Sequence, residues 1–175
     1  MRGLTLLLLA PLALASTIQK RATAQDVNND ITGIDRAVRM LTAAVIAYQG
    51  GIQESEPVFA AVLAIHAVNR KGFADANAAP SFTSAESQAI VDNVNNSVGV
   101  SIPASVTATE AKKPLFDDAE LTSLVKATID LLKSDHETFS AAVGSKLSPD
   151  QLVPGALAAG KIDAVLQGAS LFYTL

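Results

Sequence analysis

Seven apolar positions, Val27, Ile31, Ile34, Val38, Leu41, Val45 and Tyr48, recur at alternating spacings of four and three until Gly50-Gly51 interrupts them. An α-helix places side chains at that period on one face, and such a face is stable only when partner helices cover it. The stripe therefore predicts a first amphipathic helix inside a bundle.

Further helical patterns follow. Val58, Val62 and Ile65 form a second stripe, flanked by Phe59, Leu63 and His66, and it fades at Arg70-Lys71-Gly72. Thr83-Ser84-Ala85-Glu86 has the spacing of a capping box, in which the threonine and the glutamate each satisfy the other's backbone N–H. It opens a third helix carrying Ile90, Val91, Val94 and Val98. Gly99, Pro103 and the Ser/Thr/Ala stretch up to Lys113-Pro114 read as a break. Asp117, Asp118 and Glu120 then suit the positive end of a fourth helix, whose stripe is Leu121, Val125, Thr128, Leu132, Phe139 and Val143. Ser148-Pro149-Asp150-Gln151 starts a fifth, with Gly155 and Gly160 as interruptions before Ile162, Val165, Leu166, Ala169 and Phe172. No stretch alternates like a strand. The expected fold is all-α: a single-domain bundle of about five amphipathic helices over residues 25–175.

The start of the chain has a different character. Met1-Arg2, the apolar run Leu4–Leu14 and the small-x-small site Ala13-Leu14-Ala15 form a secretory signal peptide over residues 1–15. That run is shorter than the roughly 18 to 20 residues that cross a bilayer, and no later stretch reaches that length without charges. Lys20-Arg21 is a dibasic pair open to secretory processing proteases, which makes 16–24 a processed pro-segment or a disordered terminus. Cleavage after Arg21 would leave ten basic residues against seventeen acidic ones and move the net charge from −4 to −7. Nucleic acid and anionic membranes are poor partners for such a chain. With no cysteine, the 154 residues after Arg21 hold together by burial alone.

Those residues include 28 alanines, while the whole chain has six phenylalanines, two tyrosines and no tryptophan. Small side chains either draw helices into close contact or leave space between them, and a dry apolar space binds apolar guests. The candidate lining residues are the stripe positions Ile34, Val38, Leu41, Val45, Val62, Ile65, Ile90, Val94, Leu121, Val125, Leu132, Phe139, Ile162 and Leu166.

Motifs for chemistry are missing. The chain has no Gly-x-Ser-x-Gly elbow, no His-Glu-x-x-His pair, no phosphate-binding glycine loop and no dinucleotide fingerprint. Its two histidines, His66 and His136, both border apolar stripes. Three roles are open to them: paired metal ligands, anchors for a buried acid's head group, or core-edge histidines bonded to backbone carbonyls. No carboxylate stands at ligand spacing around either, so no metal and no cofactor are expected. Tyr48 and Thr128 are further polar groups on apolar faces that can anchor a ligand's polar end, although Thr128 can equally bond its own helix carbonyl. Asn95-Asn96-Ser97 is an N-glycosylation acceptor pattern at Asn95.

The leader, the segment Asp30-Ile31 to Ile34-Asp35, Ala47-Tyr48-Gln49-Gly50-Gly51, Ser84-Ala85-Glu86-Ser87 before an Ile/Val helix, and Ile162-Asp163 ahead of Phe172-Tyr173 occur in a telling order. In that order the chain resembles the fungal hydrophobic surface-binding protein A family, which also takes in cell-wall galactomannoproteins. The resemblance implies a secreted or wall-associated all-α domain. In some members such a domain holds fatty acids in an apolar interior. In others it adsorbs to hydrophobic surfaces and helps polyester-degrading enzymes reach them. It implies no catalytic residue. Wall-bound members often end in a Ser/Thr-rich stalk and a lipid-anchor signal, whereas the last residues here are Phe172-Tyr173-Thr174-Leu175, so a free secreted form is expected.

Two functional expectations follow. One is a lipid carrier, with a fatty acid or similar apolar ligand inside the bundle. The other is a surface adsorber that opens or tilts onto wax or plastic, hinged at its glycines and working alongside secreted hydrolases.

Overall fold

The computed structural model describes residues 21–174, so the expected signal peptide and most of segment 16–24 lie outside the described residues. The described residues form seven α-helices: α1 (Ala24–Ala47), α2 (Glu56–Ala78), α3 (Ser84–Asn96), α4 (Val98–Ala111), α5 (Lys113–Asp118), α6 (Thr122–Gly144) and α7 (Leu152–Phe172). Short 3-10 turns at Gln53–Ser55 and Pro149–Gln151 lead into α2 and α7. No strand occurs among the described residues, in agreement with the all-α expectation.

The α1 stripe is buried from end to end, and Val27 and Val45 are fully shielded. Each such side chain contributes on the order of 1.5–3 kcal/mol on leaving water. The helix starts on a capping box: Asp26 N–H donates to Thr23 Oγ at 3.2 Å, and Thr23 N–H donates to the Asp26 carboxylate at 2.9 Å. It ends at Tyr48, beyond which Gly50 and Gly51 take φ of 108° and 89°, a region closed to most other residues. The capping box at Thr83 and Glu86 likewise starts α3.

Four local expectations are corrected. The second helix does not fade at Arg70-Lys71-Gly72 but runs on to Ala78. Lys71 donates to Asp30 of α1 at 2.6 Å and to Asp75 at 2.7 Å, so the basic run is a clasp between helices. The stretch 98–111, expected to be a break, is helix α4 with Pro103 inside it. Gly99 does mark the corner, since a Cβ there would fall 2.9 Å from the Val94 carbonyl oxygen. Pro103 forfeits one helical hydrogen bond, and the helix continues because its buried face is covered. Asp117 and Asp118 close α5 instead of opening the next helix, which begins at Thr122. Glu120 between them adopts φ of 59°, and Asp117 accepts from Lys113 at 2.9 Å. Finally, α7 runs unbroken through Gly155 and Gly160.

The helices close on themselves. α1 packs on α2, α2 on α6, α6 on α7, α7 on α4, and α4 back on α1. α3 lies across this ring, touching α1, α4 and α7. Its start is tied to the loop before α7, where Phe82 N–H donates to the Lys146 carbonyl at 2.7 Å and Ser148 N–H to the buried Ser87 hydroxyl at 2.9 Å.

Candidate functional site: an apolar chamber inside the helix ring

The ring encloses a chamber of about 540 Å³. Small-molecule sites occupy roughly 300–1,000 Å³, so this is a full-sized site and not a packing flaw. α1 contributes Ile31, Ile34, Val38 and Leu41, α2 Ile65 and α3 Ile90, Val91 and Val94. α4 adds Val98, Ile102 and Val106, and α6 adds Ile129, Leu132, Phe139 and Val143. The wall formed by α7 explains the hollow. Facing those branched side chains it presents six small residues, Gly155, Ala156, Ala158, Ala159, Gly160 and Ala169, among the larger Leu152, Ile162, Asp163 and Leu166, with Tyr173 just beyond its end.

Ten of the fourteen apolar candidates line the chamber: Ile34, Val38, Leu41, Ile65, Ile90, Val94, Leu132, Phe139, Ile162 and Leu166. Val45, Val62 and Val125 instead border a separate space of about 40 Å³ beside Phe116, and Leu121 is buried away from both. Of the polar candidates only His136 reaches the chamber. Tyr48 stacks on Phe116 with ring centroids 4.7 Å apart, and its hydroxyl points to the Leu115 carbonyl at 3.4 Å. His66 Nδ1 donates to the buried Asp135 carboxylate at 2.6 Å, linking α2 to α6. Thr128 Oγ donates to the Val125 carbonyl at 2.7 Å, the self-capping already open to it on sequence grounds. These three are structural contacts outside the chamber.

The polar groups in the chamber wall mostly have their protons committed to the backbone. His136 Nε2 donates to the Ala159 carbonyl at 3.1 Å, which bridges α6 to α7. Burial holds the imidazole below its ordinary pKa, against the opposing pull of that hydrogen bond. Tyr173 donates its hydroxyl to the Thr109 carbonyl at 2.7 Å, and burial pushes its phenol well above the ordinary value. Asn69 donates to the Ile65 carbonyl at 3.1 Å, and Ser140 to the His136 carbonyl at 2.7 Å. Such a wall repels water and grips methylene groups. Among the described residues no cluster of three potential metal ligands occurs.

The sequence reading missed the α4 wall, although Val98, Ile102 and Val106 stand at spacings of four and are a legible helical stripe once Pro103 is discounted. Ile31 and Ile129 also line the chamber; the first belonged to the opening stripe, the second sits one position past Thr128.

A closed ring of helices around an apolar chamber defines the class, an all-α protein with an internal apolar cavity, and among the described residues no helix is long and apolar enough to cross a membrane. The chain belongs to the hydrophobic surface binding protein A family, whose model matches residues 24–145. No protein of curated function matches it. Solved structures with the same fold include AFMP4P in complex with palmitic acid, at 23% identity and a TM-score of 0.83, covering 86% of this chain and 99% of that one. Ligand binding domain 1 of the Penicillium marneffei MP1 protein, complexed with arachidonic acids, aligns at 20% identity and TM-score 0.81 over 87% and 99% of the two chains. Domain 2 of the same protein, complexed with multiple arachidonic acids, aligns at 17% and 0.78 over 83% and 92%.

Proposed function

We propose that the protein is an extracellular carrier that holds a fatty acid, or a lipid of similar shape, in the chamber between α1, α2, α4, α6 and α7. The observation that carries this reading is the 540 Å³ apolar space lined from all five walls of the ring. Burying about fourteen methylenes at roughly 0.8 kcal/mol each yields ~11 kcal/mol gross. Immobilising the chain and desolvating its head group take back several kcal/mol, which leaves micromolar to sub-micromolar affinity. The fatty acids bound by AFMP4P and the MP1 domains support the reading.

Native mass spectrometry of the secreted protein, followed by denaturing extraction, tests it. A stoichiometric lipid is expected. Ala158→Phe, which fills the chamber from α7, is expected to abolish that adduct while the far-ultraviolet helical signal persists. A wild-type protein that arrives empty and refuses added palmitate overturns the proposal. The same spectra report removal of residues 1–15, cleavage at Lys20-Arg21 and glycosylation of Asn95, which is exposed late in α3.

A second reading is favoured by the outer face of α7. Val153, Leu157 and Leu171 are 69%, 62% and 58% exposed, with Leu152 and Phe172 beside them. A helix that is apolar on both faces suits adsorption to wax or polyester, where secreted hydrolases act. Val153→Ser, Leu157→Ser and Leu171→Ser together should weaken adsorption to polystyrene beads and leave lipid binding in place.

A further inference from the structure

The chamber is not sealed evenly. Its solvent-exposed lining residues are Glu137 and Ala141 on α6 and Leu152, Ala156 and Gly160 on α7, so all five stand on one seam. A Cβ added at Gly144 or Gly160 would meet nothing within 4 Å, which marks the same seam as open. Every other helix presents only buried or half-buried residues to the chamber.

The charge at this mouth has one sign. Glu137 and Asp163 line it, Glu110 lines the chamber from α4, and no lysine or arginine lines it at all. Lys133 is the cation at hand, and it is already held by Glu137 and lies 3.7 Å from Asp163 Oδ1. Lys133 is thus shared between the two carboxylates and is not free for a third. His136 already donates its Nε2–H in a hydrogen bond to the Ala159 carbonyl.

We infer that the chamber selects lipids whose head group is uncharged, namely a long-chain alcohol or a protonated fatty acid, over the fatty carboxylate, and that they enter between α6 and α7. An ionised head at the mouth meets Glu137 and Asp163 without a free cation to offset them. An uncharged head group meets no such repulsion. This inference rests on the carrier reading and names the ligand that the carrier prefers.

Equilibrium dialysis of radiolabelled hexadecanol and palmitate at pH 5 and pH 8 tests it on the mature protein. Hexadecanol is expected to bind equally at both values, and palmitate on the order of tenfold or more weakly at pH 8 than at pH 5. The double variant Glu137→Gln/Asp163→Asn releases Lys133, and it should raise palmitate binding relative to hexadecanol at pH 8. In His136→Gln the pH dependence of palmitate should persist, because it belongs to the lipid's own carboxyl group. Palmitate bound at pH 8 as tightly as hexadecanol would overturn the selectivity and leave the carrier standing, as would a pH dependence that vanishes with His136. If neither lipid binds at either pH, the carrier reading itself has failed.

Discussion

Two helix seams in this molecule are built around glycine, and they behave in opposite ways. Where α1 meets α2, a Cβ on Gly33 would sit 3.2 Å from Val68 Cγ1. On Gly72 it would sit 2.8 Å from Phe139 Cζ and 3.2 Å from the Asp30 Cβ. Glycine there lets backbones close in, and the Lys71 bond to nearly buried Asp30 fastens the contact. Along α6 and α7, Gly144 and Gly160 face open space. The links across that seam are discrete: His136 to the Ala159 carbonyl, Lys133 to Asp163, and Ser170 to Asp130 at 2.5 Å. One residue type thus shuts one seam and leaves the other ajar. What decides is what stands opposite: Val68 and Phe139 in the first case, and no atom within 4 Å in the second.

Breaking the contrast at its junction has the largest effect. Phe139 belongs to both regions, since its ring presses on Gly72 and also lines the chamber. Phe139→Ala should cost about 3–5 kcal/mol in a denaturant titration and enlarge the chamber toward bulkier lipids. Next comes Gly72→Ala, which drives a methyl into that buried ring and should destabilise by about 1–3 kcal/mol. Gly160→Ala should do the reverse, raising stability by roughly 0.5–1 kcal/mol, because helix propensity improves and nothing stands in the way. If both alanine variants shift the denaturation midpoint in the same direction, the two seams do not differ as described.

The smallest effect is a pH dependence confined to the α6–α7 seam. Burial depresses the pKa of His136 in the folded state, so the unfolded chain binds more protons below about 6.5. The associated stability is fully present above that value and falls as pH drops toward the folded pKa. Thermal melts between pH 5 and 7.5 should show this slope in the wild type and lose it in His136→Gln.

The fold was largely readable because its information is local. The stripe of α1, the two capping residues Thr83 and Glu86, and the turn at Gly50-Gly51 each fix a few dihedrals without help from elsewhere. α4 was illegible because Ser101, Ser105 and Thr109 dilute its stripe and Pro103 mimics a stop; only covering helices make it worth forming. The site divided in the same way. Stripe membership placed ten apolar residues in the chamber wall, yet it could not separate them from Val45, Val62 and Val125, which share their stripes but lie farther along the axis. The polar residues Tyr48, His66 and Thr128 went elsewhere because their partners, Leu115, Asp135 and the Val125 carbonyl, are set by tertiary contacts or by the helix's own backbone, which spacing does not encode.

The order in which the walls are made has a consequence for synthesis. α7 closes the ring against α6 and α4, and it is translated after all the other walls. At about 5–20 residues per second, its 21 residues take on the order of one to four seconds to appear. During that interval the earlier walls, if already assembled, would leave Ile34, Val38 and Phe139 uncovered, and a lipid laid against them would be enclosed as the last helix docks. Loading during translation would then need no opening of the finished ring, and the α6–α7 seam would serve mainly for release.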